Sequence, residues 1–221
     1  MDAKFHRLAP LIALQYLPKL RAFLVCDEFT AEQVSTIATY PDLIDHDNLA
    51  QTAEIHHAHS YKLDGRGKWV DGDCLKTIEG LCAFTVDAWR EYEKVSAWPL
   101  AWMVRYALAK MTHYRIDALT YPHLHRGEPW SHYHAGFEAH MDRWITRHHE
   151  ELGPFEFIPY KHVYRGCRQG ALDAWERGRE LVERLEAHKA PSDQDSLMAA
   201  RSCIQGVGDL WLTLSIQMGI E

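Results

Sequence analysis

Apolar residues recur with a helical period along nearly the whole chain, and this pattern constrains the fold more than any other feature. No run alternates apolar and polar residues as a half-buried strand does, and no repeat interrupts the pattern. With 221 residues, of which 47% are hydrophobic, the chain is long enough to bury a sizeable core. We therefore predict an all-α fold, with about seven or eight helices in one domain that spans residues 1–221.

Prolines, glycines and capping residues divide this pattern into individual helices. Thr30 and Gln33 fit a capping box, Pro99 suits a first helical turn, and Ser131 is predicted to cap a further helix. The predicted helices are Leu11–Val25, Thr30–Tyr40, Asn48–His59, Cys74–Val95, Pro99–Leu119, Ser131–Leu152, Lys161–Ala187 and Ser192–Met218. The segments predicted as loops are Leu63–Asp73, Tyr121–Trp130 and Gly153–Pro159.

Charge and cysteine content narrow the class of protein. The chain has 31 acidic and 24 basic residues, and an acidic protein lacks the basic face that a stable nucleic-acid complex requires. No stretch reaches the roughly 18 apolar residues of a transmembrane segment, and the N-terminal segment lacks the features of a signal peptide. The five cysteines form no CxxC pair, which argues against a disulfide framework and against a cysteine zinc site. We therefore predict a cytoplasmic protein whose reduced thiols are mostly core residues.

Histidine is unusually frequent, with 15 in the chain and nine of them between His113 and His162. Two histidines precede an acidic residue by four positions, namely His113 before Asp117 and His134 before Glu138. Residues four apart share a helix face, so each pair would supply two ligands to one metal ion. With 15 histidines and 31 acidic residues, however, chance alone gives about two such pairs. The pairs gain meaning only from their order along the chain.

The order joins the two pairs into one pattern. The first pair ends a predicted helix, His123 follows six residues after Asp117 across a predicted turn, and the second pair opens the next helix. Imidazole nitrogen and carboxylate oxygen suit zinc or another borderline divalent metal. The sequence therefore predicts a metal site built from two neighbouring helices and the turn between them.

This order, HxxxD, five residues, His, about ten residues, HxxxE, resembles that of the zinc-dependent phospholipase C and single-strand-specific nuclease superfamily. Upstream, the segment 39–42 (TYPD) resembles the YPD segment that carries an early Asp ligand in some of these phospholipases. The segment 59–64 (HSYKLD) resembles the aromatic-flanked His that follows it, and Phe5-His6 is similar to the N-terminal His ligand. The resemblance covers roughly residues 1–140. It implies an all-α enzyme whose clustered zinc ions hydrolyse phosphoesters.

The resemblance also implies which residues hold the metal, and about two or three zinc ions per chain are expected. Apart from the resemblance, iron or manganese are other possible metals for such ligands. The first ion would take the early Asp, His59, His113 and Asp117. The second would take His123, His134 and Glu138. The third would share Asp117 and take His6 together with the N-terminal amine.

Two positions stay open within this assignment. The early Asp is either Asp42, by the YPD match, or Asp45, which lies fourteen residues before His59. His57 competes with His59 in the same way. The early carboxylate would orient or deprotonate the attacking water, which makes Asp42 and Asp45 the candidate catalytic residues.

Clustered metal ions suit phosphoester hydrolysis, because they lower the pKa of bound water toward neutrality and neutralise charge on phosphate oxygens. We expect a metal-dependent hydrolase that uses metal-bound hydroxide on a phosphomonoester or phosphodiester. A further ion, or a cation such as Arg115 or Arg126, would stabilise the leaving oxygen. The net charge of −7 disfavours long polyanions, so the expected substrate is a small phosphorylated molecule.

Two other functions fit a helical chain rich in histidine. A dinuclear iron enzyme would use paired Glu-x-x-His motifs, but the only such motif here, Glu54 to His57, lacks a matching partner. A non-catalytic metal-binding protein would have clustered exposed histidines rather than a fixed spacing on two helices. Metal analysis distinguishes the three functions.

Overall fold

The computed structural model of the protein describes residues 4–41, 62–63, 69–71, 74–120, 130–187 and 189–221. Within these ranges the chain forms eight α-helices, and the predicted all-α class is confirmed. The helices are α1 (Lys4–Leu14), α2 (Pro18–Leu24), α3 (Ala31–Ile37), α4 (Cys74–Val95), α5 (Trp98–Asp117), α6 (Trp130–His148), α7 (Val163–Glu186) and α8 (Asp193–Gln217). A single 3₁₀ turn, His149–Glu151, follows α6.

A short antiparallel ribbon precedes α4. Its strands are β1 (Lys62–Leu63) and β2 (Trp69–Asp71), with Lys62 opposite Asp71 and an irregular register beside it. The prediction of a loop over Leu63–Asp73 is therefore wrong for these strand residues. Strands of two and three residues are too short for an alternating pattern to reveal them.

The prediction of one helix over Leu11–Val25 is also wrong. Helix α1 already begins at Lys4 and ends at Leu14, and Pro18 opens the separate helix α2. Phe5, Ala9 and Ile12 are buried on one face of α1, which explains why the helix extends toward the N-terminus. A proline in a first turn has no N–H that would need a partner, so Pro18 favours a new helix start.

Capping residues set several of the other helix ends. The predicted capping box of α3 is confirmed: Gln33 N donates to Thr30 Oγ1 at 3.2 Å, and Thr30 N donates to Gln33 Oε1 at 2.7 Å. At the start of α8, Ser192 forms a second capping box with Asp195. Ser131 is not the residue before a helix, because α6 already includes Trp130.

Helix α5 lies at the centre of the packing. It forms a hairpin with α4 through Ser96 and Ala97, and it contacts α1, α3 and α8. All seven residues of α5 at positions 111–117 are buried, so the last two turns of this helix are enclosed on every side. One hydrophobic core joins all eight described helices. None of the described helices is both long and apolar enough to cross a membrane.

Gly208 of α8 allows the Phe157 ring to lie against the helix backbone, since a Cβ atom at this position would meet the ring at 2.2 Å. We expect Gly208→Ala to lower the free energy of unfolding by about 1–3 kcal/mol, because the ring must move. The matched control is Gly80→Ala in the exposed part of α4, where no atom lies within 4 Å of the added Cβ. Alanine favours the helix there and should raise the free energy of unfolding by about 0.5–1 kcal/mol. Chemical denaturation checks both values. Equal changes in the free energy of unfolding at the two glycines would contradict the close packing of the Phe157 ring against Gly208.

Candidate metal centre

His113 and Asp117 lie one helical turn apart near the end of α5. The Nε2 atom of His113 is 3.1 Å from Oδ2 of Asp117, as expected for positions i and i+4 of a helix. Both residues are almost completely buried, with exposed fractions of 0% and 1%. The spacing in the sequence therefore translates into one compact pair inside the protein.

His6 joins this pair from α1. Its Nε2 atom is 3.4 Å from Oδ1 of Asp117, and its ring centre is 4.5 Å from that of His113. The start of α1 is fixed to α6, because Phe5 N donates a hydrogen bond of 2.8 Å to Oδ1 of Asp142. The Phe5 side chain is buried beside His6 and anchors the same turn in the core. Helices α1, α5 and α6 together thus set the position of His6.

The hydrogen bond to the backbone of α3 defines the orientation of the His113 ring. Nδ1 of His113 lies 2.9 Å from the carbonyl oxygen of Ala38, just after α3, and also 2.9 Å from Nδ1 of His6. A carbonyl only accepts hydrogen bonds, so Nδ1 carries the hydrogen and donates it. In the neutral ring, Nε2 then presents a lone pair to Asp117. A backbone bond of this kind commonly orients histidines that bind metal.

A lone pair on Nε2 of His113 and a carboxylate oxygen of Asp117 repel one another at 3.1 Å. Their contact becomes favourable when a proton or a metal cation lies between them. Burial makes the repulsion more costly, because a carboxylate enclosed in the protein must be compensated by positive charge or by hydrogen bonds. The cluster therefore brings together a carboxylate and imidazole nitrogens, the ligand types from which cation sites are built.

The ligand atoms also have suitable spacing for a metal. One ligand atom from each of His6, His113 and Asp117 lies within 4.8 Å of the others. In a tetrahedral zinc site with bonds of about 2.0–2.1 Å, neighbouring ligand atoms lie roughly 3.3 Å apart. The two nitrogen–oxygen distances, 3.1 and 3.4 Å, are close to this value. Two imidazoles and a carboxylate are a donor set that zinc accepts.

The two oxygens of Asp117 face different histidines: Oδ1 faces His6, and Oδ2 faces His113. This arrangement is compatible with an Asp117 that is shared between two ions, a prediction that the structure does not test. It is equally compatible with a single ion bound by all three side chains. The number of bound ions separates the two arrangements.

The other predicted ligands fall partly outside the described residues. The predicted residues outside the described ranges are Asp42, Asp45, His57, His59, His123 and Arg126. His134 lies in the first turns of α6, where the backbone is described, and Glu138 lies one turn further and is half-buried. Asp142, which fixes α1, follows at the same four-residue interval. Among the described residues, His6, His113 and Asp117 are the group whose ligand atoms converge.

Arg115 does not occupy the place that its predicted role requires. That role is to stabilise a leaving oxygen, but residues two apart point to different sides of a helix. Arg115 is instead buried away from the pair and donates to the carbonyl of Cys167 at 3.1 Å and to the Tyr160 hydroxyl at 2.8 Å. The prediction for Arg115 is therefore wrong, because this position on α5 faces α7 and α8.

The cysteines near the cluster behave as core residues. Cys74 donates a hydrogen bond from Sγ to the carbonyl of Tyr114 at 3.2 Å. Burial, and then the nearby carboxylate of Asp117, raise the pKa of the Cys74 thiol well above its usual value. Cys74 therefore stays protonated, which disfavours it as a metal ligand. Four of the five cysteines are buried and all five are free, as predicted.

Comparisons with known protein families, with curated proteins and with solved structures each found no match.

Proposed function

We propose that this protein is a metal-dependent phosphoester hydrolase, with zinc as the metal and a small phosphorylated molecule as the substrate. The observation that supports the proposal best is the buried convergence of His6, His113 and Asp117, whose ligand atoms lie within 4.8 Å of one another. The order of further histidines and carboxylates along the chain supports it independently, since it resembles the phospholipase C and nuclease superfamily.

The described residues have distinct tasks in this proposal. Asp117 supplies the negative charge that holds the cation, and His113 presents Nε2 because its Nδ1 is bound to the Ala38 carbonyl. His6 completes the set, held in place by the bond between Phe5 and Asp142. A bound divalent metal would lower the pKa of a water molecule and neutralise charge on phosphate oxygens. Glu138 and His134 on α6 are proposed to bind a second ion with His123.

The proposal is tested by measuring metal content and hydrolysis on the same preparation. We expect about two or three zinc ions per chain and turnover of bis(p-nitrophenyl) phosphate or p-nitrophenyl phosphate. A chelator should abolish turnover, and added zinc should restore it. In His113→Ala and Glu138→Ala both activity and metal content should fall.

Three outcomes would contradict this function. Iron as the bound metal would favour the dinuclear iron enzyme instead. A variable and loosely bound metal content, without turnover, would favour a non-catalytic metal-binding protein. Turnover that persists in both His113→Ala and Glu138→Ala would show that the hydrolysis does not depend on the proposed metal ligands.

A further inference from the structure

A cavity of about 520 Å³ lies on the side of α5 that carries Arg115. Its walls come mainly from α7, α8 and the segment before α7, and they include none of His6, His113 and Asp117. The cavity is therefore a different place in the fold from the candidate metal centre, although α5 contributes to both. Its volume falls in the range typical of pockets for small organic molecules, about 300–1,000 Å³.

Three arginines line this cavity: Arg115 is buried, whereas Arg177 and Arg201 are largely exposed. Arg177 Nη2 donates to the Ser202 hydroxyl at 3.2 Å. Arg201 Nη1 donates to the Leu152 carbonyl at 2.9 Å, and its guanidinium lies over the Phe155 ring at 5.4 Å. These contacts restrict the two exposed side chains, so less freedom is lost when a ligand binds them.

The position of Arg115 depends on two glycines. A Cβ at Gly170 would lie 2.6 Å from Nη2 of Arg115, and a Cβ at Gly206 would lie 3.1 Å from its Nε. The guanidinium therefore fits only because both helices lack a side chain there. Burial raises the pKa of Tyr160 to about 12, so the hydroxyl that accepts from Arg115 is neutral at physiological pH.

The carboxylates of the cavity are bound by neighbouring amides. Asp173 accepts from Gln169 Nε2 at 2.8 Å, and Asp209 accepts from Gln205 Nε2 at 2.7 Å and from Ile158 N at 2.8 Å. Neither Arg177 nor Arg201 forms an ion pair with any acidic residue in the described part of the chain. With three guanidinium groups and two carboxylates, the cavity carries an excess positive charge.

We propose that this cavity binds a small organic phosphate. Guanidinium groups pair with phosphate oxygens through two parallel N–H donors, which makes a set of arginines a good site for a dianion. The phosphate would lie between Arg177 and Arg201, on the side of the cavity that Arg115 makes positive. The polar side chains of Gln169, Asp173 and Asp209 would contact hydroxyl groups on the remainder of the molecule. This site does not rest on the proposed hydrolase function.

The test is calorimetric titration of the full chain with ribose 5-phosphate and with inorganic phosphate. We expect ribose 5-phosphate to bind more tightly, because only its sugar reaches the hydroxyl-binding wall. In the double variant Arg177→Gln/Arg201→Gln its affinity should fall at least tenfold. The matched control is Arg165→Gln/Arg168→Gln, two exposed arginines of α7 that do not line the cavity. This control should bind like the original chain.

A second variant separates the cavity from the metal centre. Asp117→Asn should keep the arginine-dependent binding of ribose 5-phosphate in the cavity, whatever it does to binding and hydrolysis at the metal centre. If Asp117→Asn abolishes binding while the arginine pair does not, the phosphate binds at the metal centre and the proposal is wrong. An equal loss of affinity for ribose 5-phosphate in the two double arginine variants would mean that only the overall charge of the protein matters. That result would also overturn the proposal. Equal affinity for inorganic phosphate would exclude a site for an organic molecule.

Discussion

Asp117→Asn is expected to remove most of the bound metal and most of the hydrolytic activity. The substitution keeps the shape of the side chain but removes the charge that faces both His6 and His113. Changing a residue that merely supports a metal ligand weakens metal binding about 10–100-fold, and loss of a ligand should cost at least as much. We therefore expect the affinity for zinc to fall by about 100-fold or more, with turnover falling in parallel.

The matched control for this prediction is Asp87→Asn. Asp87 is an exposed residue of α4 whose carboxylate pairs with Arg90 at 3.2 Å. The Asp87→Asn variant should retain the metal content and the turnover of the original chain. Zinc affinity is measured by competition with a chromogenic chelator, and thermal unfolding confirms that the variant is folded. An Asp117→Asn protein with full zinc affinity would exclude this cluster as the metal centre.

The part of the site that sequence could predict is the part encoded by local spacing. His113 and Asp117 are four residues apart within a helix whose pattern is clear, so their contact follows from helical geometry. The contribution of His6 could be expected only from the resemblance, because it lies 107 residues away from His113 in the chain. No sequence pattern indicates that the Ala38 carbonyl orients the His113 ring, since every residue has a carbonyl group.

The helix boundaries likewise could be predicted only where local sequence defines them. The long helices α4, α5, α7 and α8 begin and end within about two residues of the predicted positions, because apolar periodicity and breakers define them locally. The division between α1 and α2 is not evident from the pattern, since an apolar run across Pro18 resembles a single helix. Pro18 sets that boundary by opening α2, whereas the burial of Phe5 and Ala9 explains why α1 begins before the predicted start.

Arg115 shows why a charge in the sequence does not reveal its environment. A single arginine between His113 and Asp117 suggests a role beside them, yet the helix turns it to the opposite side. The signals that could have indicated its burial are Gly170 and Gly206, which lie on two other helices. Their relation to Arg115 exists only in three dimensions, so a single sequence does not disclose it.

Arg115→Met is expected to destabilise the protein more than Gly208→Ala does. The guanidinium donates to the Cys167 and Gly206 carbonyls and to the Tyr160 hydroxyl, and methionine replaces none of these bonds. Buried acceptors that lose their donor cost about 1–3 kcal/mol each. We therefore expect the free energy of unfolding to fall by about 3–5 kcal/mol, measured by guanidinium chloride denaturation. Lysine should not restore stability, because one ammonium group cannot reproduce the planar set of donors.

Arg168→Met provides the control for this substitution, since Arg168 is an exposed residue of the same charge on α7. Its replacement should change the free energy of unfolding by less than about 0.5 kcal/mol. An equally small loss of unfolding free energy in Arg115→Met would contradict the prediction, because it would mean that water replaces the hydrogen bonds of Arg115 without cost. We do not expect this, because only 1% of Arg115 is exposed. The predicted difference between the two variants thus measures how strongly one buried guanidinium holds α5 against α7 and α8.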